Sequence, residues 1–385
     1  MSTLLLAALH AAAATEQDGS YALPDVGMTL SLPGWHMSRW SDWDFRGRTA
    51  DGDVMISAWS TAFQLAIDAD HAEAIREAWR KKLTEEEGAI DVSFGSSKVE
   101  LVGGRPTLLA EATLSLADGT RVVFEGAAFA TDGHTAHIGT YAAVPNARRA
   151  VAARERALAG LVVDRPAADV AGAQTLEHEM FTIQLPSGWR APMASESFDA
   201  AGLYGRTGVK DAAACAAAMN PVGPGQADIL LVCTGGPKLT IVDQYSFQDE
   251  ATLFASGLFG KAASTLPQPE PLETQSGMAI LQRAKEGLYV AGMPYREGTL
   301  VAWSSADASR DAELVAATRA ALGTLTLTEK GKAEPSFGAS VAHTLAYRPT
   351  HPAVFGAALA ALGLLALFAK LIFGRPRMEL PSDGY

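Results

Sequence analysis

The strongest constraint on this chain is that it repeats itself. His134 to Val163 lies on Gly298 to Leu327 without a gap: Thr135 falls on Thr299, Val151-Ala152-Ala153 on Val315-Ala316-Ala317, Ala157-Leu158 on Ala321-Leu322 and Leu161 on Leu325. Upstream, Thr107 to Ser115, Asp118-Gly119 and Val122 to Ala130 correspond to Gly277 to Gln282, Glu286-Gly287 and Leu288 to Met293, each a strand, a turn and a strand. Earlier still, Leu32-Pro33-Gly34-Trp35 follows the alternating Met28 to Leu32, and Leu185-Pro186-Ser187-Gly188-Trp189 follows Phe181 to Gln184. Each phrase is a short strand stopped by Pro and Gly, with a Trp placed to cover a core edge. Shared order and punctuation predict two copies of one unit. The second is about ten residues longer in its middle, and the extra residues are expected between Gln226 and Phe247.

Within unit one (residues 21–165), Met28 to Leu32, Val54 to Ser60, Ile90 to Ser93 and the later hairpin read as strands. Asp68 or Asp70 can cap a helix in which Ile75, Trp79 and Leu83 recur at four-residue spacing on one apolar face. A second helix is expected from about Asn146 to Leu158, then a strand from Leu161 to Val163. Unit two (176–328) carries comparable helices from Asp249 to about Ser264 and from about Ser309 to Leu322. The prediction is an α+β fold, a hairpin-rich antiparallel sheet with one face covered by two helices. An opening strand ending in LPxGW, a helix, three antiparallel strands and a C-terminal helix resemble the PsbP-like superfamily, which includes the photosystem extrinsic subunit and the bacterial DcrB-type proteins. The resemblance implies two tandem PsbP-like sandwiches. It also implies a role in binding or stabilising other proteins, with no family catalytic residues to carry over. Two units and a C-terminal span depart from the family pattern.

The span is the second constraint. Pro352 to Phe373 (within residues 351–373) is apolar except for Lys370, and at about 1.5 Å per residue it can cross about 30 Å of hydrocarbon. Lys370 lies near one end, where its stem can snorkel. Gly356 with Ala360 and Ala357 with Ala361 form small-xxx-small pairs through which two spans can approach as a homodimer. Lys370, Arg375 and Arg377 follow the span, whereas Arg348 alone precedes it closely. The short tail (374–385) is therefore expected in the cytoplasm and the large domains outside. The apolar Thr3 to Ala14 within residues 1–20 reads as a secretory signal lacking its usual basic start. The alternatives are a frayed N-terminal helix and a tail-anchored protein with cytoplasmic domains. Residues 329–350 read as a tether to the bilayer.

Composition bounds the chemistry. The 385 residues carry a formal net charge of −12 and no long Lys/Arg run, which argues against nucleic-acid binding. There are two cysteines, Cys215 and Cys233, too few for an all-Cys metal site. They read first as buried thiols and second as a disulfide, which gains weight if the domain is exported. Cys215 lies in the Ala-rich DAAACAAAM, which reads as helix or loop packing. No dinucleotide fingerprint, Walker loop, zinc-protease helix or GxSxG phrase is present, and His178 is the sole histidine of unit two. His134 and His137, three apart on a strand, point to opposite faces. Asp42, Asp44, Asp51 and Asp53 are oxygen-rich without the order of a calcium loop, and read as solvated turns. No cofactor or metal site is expected.

Among exposed-contact candidates, Trp40 and Trp43 in SRWSDWDF have no aromatic counterpart in MASESFDAAG beyond Phe198, whereas Trp35 is repeated by Trp189. Aromatics beside charges make good protein-contact anchors. The functional expectation is a membrane-anchored, non-enzymatic binding or scaffolding protein with a protein partner. The alternatives are a hydrolase or other enzyme with a site between the units, and a protein that holds a lipid or lipidated segment between sheet and helices.

Overall fold

The computed structural model describes residues 19–23, 26–41, 44–169, 174–194, 196, 215–296, 298–332, 335–348 and 352–373. Nearly all of the expected leader and the whole of the 374–385 tail lie outside them.

In unit one, β1 (Ser20–Leu23), β2 (Met28–Ser31) and β10 (Leu161–Val163) form a small antiparallel sheet. The large sheet is built from β3 (Trp35–Ser41), β4 (Asp44–Thr49), β5 (Val54–Ala62), β6 (Ala89–Val102), β7 (Arg105–Leu116), β8 (Arg121–Thr131) and β9 (His134–Ala143). Its order is β3-β4-β5-β9-β8-β7-β6. In unit two, the small sheet is β11 (Thr175–His178), β12 (Phe181–Gln184) and β19 (Thr326–Leu327). The large one is built from β13 (Cys215–Gly223), β14 (Gln226–Thr234), β15 (Glu270–Thr274), β16 (Gly277–Lys285), β17 (Leu288–Tyr295) and β18 (Gly298–Ser305). The fold is α+β with antiparallel sheets. The order β13-β14-β18-β17-β16-β15 matches β4-β5-β9-β8-β7-β6 strand for strand.

Helix α1 (Ala72–Glu85) lays the expected Ile75, Trp79 and Leu83 on one face of the unit-one sheet, against Leu108, Leu114 and Phe124. Helix α2 (Ala147–Ala159) and the small sheet cover the other face, where Ala150 and Ala157 meet Leu30, Phe45, Ile56 and Ile138. Unit two repeats this with α3 (Phe247–Phe259) on one face and α4 (Asp311–Gly323) on the other. The expectation that two helices share one face is therefore wrong. The reason is legible in β9: HTAHIGTYAA is buried at every position but its last, and a strand buried on both faces loses its alternation. Close approach of the first helix needs a strand without a Cβ. One added at Gly126 would lie 2.8 Å from the Trp79 ring, and one at Gly292 would lie 2.3 Å from Phe254.

The correspondence between the units extends to hydrogen bonds. The Thr135 hydroxyl donates to the Phe63 carbonyl at 2.9 Å and accepts from Leu65 N–H at 3.1 Å. Thr299 likewise donates to the Pro237 carbonyl and accepts from Leu239 N–H at 2.9 Å. Both threonines are fully buried, so each hydroxyl satisfies backbone groups that leave the ladder ahead of the helix.

Several expectations are corrected. Cys215 opens a strand, β13, directly opposite Cys233 on β14, and the two form a disulfide. The extra residues of unit two lie between Arg190 and Cys215, mostly outside the described residues, because only two residues join β13 to β14, against four between β4 and β5. A shorter β15–β16 edge offsets part of that length. The N-cap is His71, without a side-chain cap bond, and Asp68, three residues ahead of it, accepts from the His71 N–H at 3.0 Å instead of capping the helix. The supposed tether contains α5 (Phe337–Tyr347), whose N-cap Ser336 accepts from Ala339 N–H at 3.2 Å. Pro352–Phe373 is a continuous helix, α6. Counted over the described residues alone, however, no helix is long and apolar enough to cross a membrane.

Under α1, Trp79 Nε1–H donates to His137 Nδ1 at 3.0 Å. The ring proton is thereby assigned to Nε2, facing Thr61 Oγ1 at 3.3 Å. Burial, helped by the Lys82 charge, pushes this imidazole down to about 3. Unfolded histidine takes a proton near pH 6.5 and the folded one does not, so the contribution is whole above that pH and is lost as pH falls towards 3. His137→Gln, which keeps an acceptor and does not titrate, should flatten the acid limb. Between pH 7 and 4.5 the wild type should lose about 2 kcal/mol more than the variant, read by urea denaturation in detergent. Parallel losses would show that His137 titrates normally.

Candidate functional site

The residues that join the two units also floor a large cleft. β5 ends at Ala62, whose carbonyl accepts from Gly225 N–H of unit two at 3.1 Å. Phe63 then turns the chain through a left-handed conformation (φ 72°), rare for an aromatic residue, braced by the Thr135 bond. The turn delivers Gln64 to the partner unit, and its four polar groups are all taken up. Its N–H donates to Glu196 Oε1 at 3.1 Å, and its carbonyl accepts from Arg190 Nη2 at 3.3 Å. Its side-chain amide exchanges hydrogen bonds with Ala168 of the connecting segment, at 2.7 and 3.0 Å.

Arg190 follows the second LPSGW phrase directly. Its guanidinium grips Glu196 through both nitrogens, Nη1 to Oε2 at 2.6 Å and Nη2 to Oε1. The two side chains are 3% and 0% exposed. Met193 N–H supplies Glu196 with a further bond at 2.8 Å, and the Arg190 backbone bridges to Met219 of β13. Such a pair is stable only because its remaining donors and acceptors are satisfied.

Above this clasp lies a cleft of about 880 Å³ walled by both units. Leu65, Ile67 and Pro106 of unit one face Trp189 and Pro221 of unit two across it. Gln64, Asp68, His71, Arg190 and Asn220 also line it, so the cleft combines apolar walls with hydrogen-bonding groups, as ligand-binding clefts do. At its rim His71 Nδ1 lies 2.8 Å from Asp68 Oδ1. Burial opposes ionisation of Asp68, but bonds from the His71 ring and N–H outweigh it and hold the carboxyl below its usual range. Ser187 lines the same cleft, yet among the described residues no hydrogen bond links it to His71. The nucleophile–base contact of a hydrolase is therefore not assembled there.

The strongest perturbation of ionisable groups lies elsewhere, beneath α1. Arg46 pairs with Glu87 at 2.9 Å, and Lys82 with Asp44 at 3.3 Å and Glu86 at 2.5 Å, its ammonium 4.9 Å from the Trp59 ring centre. Burial raises both Asp44 and Glu87 against the opposing Lys82 and Arg46 charges. Tyr141 is raised well above its ordinary value by burial, while its hydroxyl meets Ser57 at 3.0 Å. These groups brace α1 against β4 and β9, and line no described cleft.

The sequence candidates are placed unevenly. Trp40 has its backbone in β3, but its side chain and all of Trp43 lie outside the described residues. His134 and His137 sit on opposite faces of β9 as spacing requires. Asp51 and Asp53 are held by Arg149, and among the described residues no group of three metal-ligating side chains converges. The apolar space between the unit-two sheet and α4 is only about 10 Å³, too small for a lipid chain. Gln64, Arg190 and Glu196 carry no sequence signal beyond the place of Arg190 after LPSGW.

No family model matches the chain, and no curated protein does. The solved structures similar to this chain at low identity include the following three. The cyanobacterial PsbP (CyanoP) of Synechocystis sp. PCC 6803 shares 13% identity over 40% of this chain and 95% of its own, with a TM-score of 0.33. A protein of Bacteroides thetaiotaomicron VPI-5482 shares 12% over 44% of this chain and 54% of its own, at 0.27. A Pseudomonas aeruginosa protein of unknown function described as a putative regulator shares 13% over 38% of this chain and 96% of its own, at 0.25. Scores this low carry no inference about activity or partner.

The clasp is directly testable. Arg190→Met strands a buried carboxylate and should cost about 3–5 kcal/mol in urea denaturation. The double variant Arg190→Met/Glu196→Leu should recover most of that loss. A double variant no more stable than the single one would show that the two charges are not coupled.

Proposed function

We propose that the protein is a membrane-anchored, non-enzymatic binding or scaffolding protein. In this reading two PsbP-like units, products of a duplication, present the cleft between them to a protein partner. The observation that carries the reading is that both units wall the cleft and a fully satisfied buried ion pair fixes its floor, so the binding surface is preorganised. The matched strand orders and the twin Thr135 and Thr299 bonds support duplication.

Anchoring is assigned to α6. Leu359, Leu362, Leu364, Leu365, Leu367 and Phe368 are all more than 60% exposed, and at about 100° per residue they surround the helix. A helix whose described side chains are apolar and exposed on every side belongs in lipid. The side chains at several of its other positions lie outside the described residues. The charge bias around α6 favours external domains and a cytoplasmic tail. The Cys215–Cys233 disulfide fits that side, since such bonds persist in oxidising compartments.

Two measurements test the reading. With a tag fused at Tyr385, protease added to intact cells should remove the domains and leave a short tagged fragment. Survival of the domains until lysis would reverse the topology. A photocrosslinking residue at Ser187 in native membranes should give discrete adducts that Ala66→Trp, which fills the cleft, abolishes. Labelling at Ser187 no greater than at the exposed Ile90 would remove the cleft as the binding site.

A further inference from the structure

The residues expected to hold the domains off the membrane do not form a free tether. Tyr347 of α5 donates its hydroxyl to Asp249 Oδ2 at 2.8 Å. Arg348 reaches Asp243 Oδ2 at 3.3 Å and stands 4.3 Å from the centre of the Tyr245 ring. His343 Nε2 lies 3.6 Å from Asp243 Oδ1. One side of α5 is thus fastened to the acidic start of α3, and the helix is part of unit two.

The other side is apolar and largely open, with Val341 half-buried. Phe337, Val341 and Leu345 recur at four-residue spacing, and Phe337 is 86% and Leu345 50% exposed. Tyr245, beside Arg348, is 49% exposed. The chain settles what can cover this side. From Arg348 to Pro352, the first residue of α6, four residues of extended chain reach at most about 14 Å. If α6 enters a bilayer, the C-terminal end of α5 is within that distance of the headgroups, and the unit fastened to it comes too.

We infer that α5 lies in the headgroup layer with Phe337, Val341 and Leu345 towards the acyl chains, so that unit two rests on the bilayer surface. The inference depends on the reading of α6 as the membrane anchor. An interfacial helix buries one apolar stripe and keeps its polar side towards water or protein. Here that polar side is occupied by Asp243 and Asp249, while Tyr245 stands where tyrosines favour the interface. The consequence for function is orientation: unit two is held on the surface, and the clasp fixes unit one and the cleft relative to it.

The test uses the full chain in phosphatidylcholine nanodiscs, with Cys215 and Cys233 left paired. Spin labels are attached at Phe337→Cys, Leu345→Cys, Leu364→Cys within α6, and Ile90→Cys on unit one. The expected result is collision with oxygen exceeding collision with a water-soluble nickel chelate at 337, 345 and 364, with the order reversed at 90. If 364 is lipid-exposed but 337 and 345 favour nickel, the surface inference is overturned and the anchor stands. If 364 itself favours nickel, the anchor reading fails, and this inference with it.

Discussion

The arrangement of this protein depends on one buried ion pair. Arg190 and Glu196 are both withdrawn from water, and the cost of that desolvation is offset only because every strong donor and acceptor around them is used. Two of those bonds come from the backbone of Gln64 in the other unit. The pair therefore joins the units by a fixed geometry rather than by apolar area, which tolerates sliding. Phe63 is held in an unfavourable backbone conformation to bring Gln64 there. The cleft above inherits its shape from these few residues.

The individual units were far more legible than their union. Ile75, Trp79 and Leu83 announce a helix face because an amphipathic period is local, and the strand Leu161–Val163 was placed to the residue. The gapless alignment of His134 to Val163 on Gly298 to Leu327 foretold that Thr135 and Thr299 share a role, though not that the role is a backbone hydrogen bond. The misreadings have one physical source, since pattern reports burial without saying what does the burying. β9 is apolar on both faces, and nothing local says that a helix waits on each. Cys215 in its alanine run reads as helix or loop packing because alanine is permissive, and the cross-strand partner that decides the matter lies across a turn. The candidate site was almost invisible: Gln64, Arg190 and Glu196 are ordinary surface residue types whose burial arises only when two domains meet.

The reading of residues 329–350 as a tether failed for a related reason. Gly, Pro and Lys suggested a solvated linker, but Ser336 caps a helix whose polar residues find partners on unit two. Where a segment's hydrogen bonds go depends on what lies beside it, and an acidic loop at Asp243 lies beside this one. The short chain between a docked helix and an apolar one leaves the two helices little freedom to move apart.

The two units also secure one corner of the same fold by different chemistry. In unit one Asp44 on β4 stands opposite Trp59 on β5, which in turn faces His137 on β9. In unit two the corresponding positions are Cys215, Cys233 and Val301. Unit one ties β4 to α1 through Lys82 and stacks Trp59 on His137 at 5.1 Å between ring centres. Unit two replaces that polar cluster with a covalent cross-link and an apolar bed of Leu231, Val290 and Val301 under Phe254. The first solution buries charge, costs desolvation and responds to pH. The second constrains the unfolded chain and responds to redox conditions. Two units with matching strand order, one braced by ions and the other by a disulfide, share the geometry of this corner and differ in which solution conditions can loosen it.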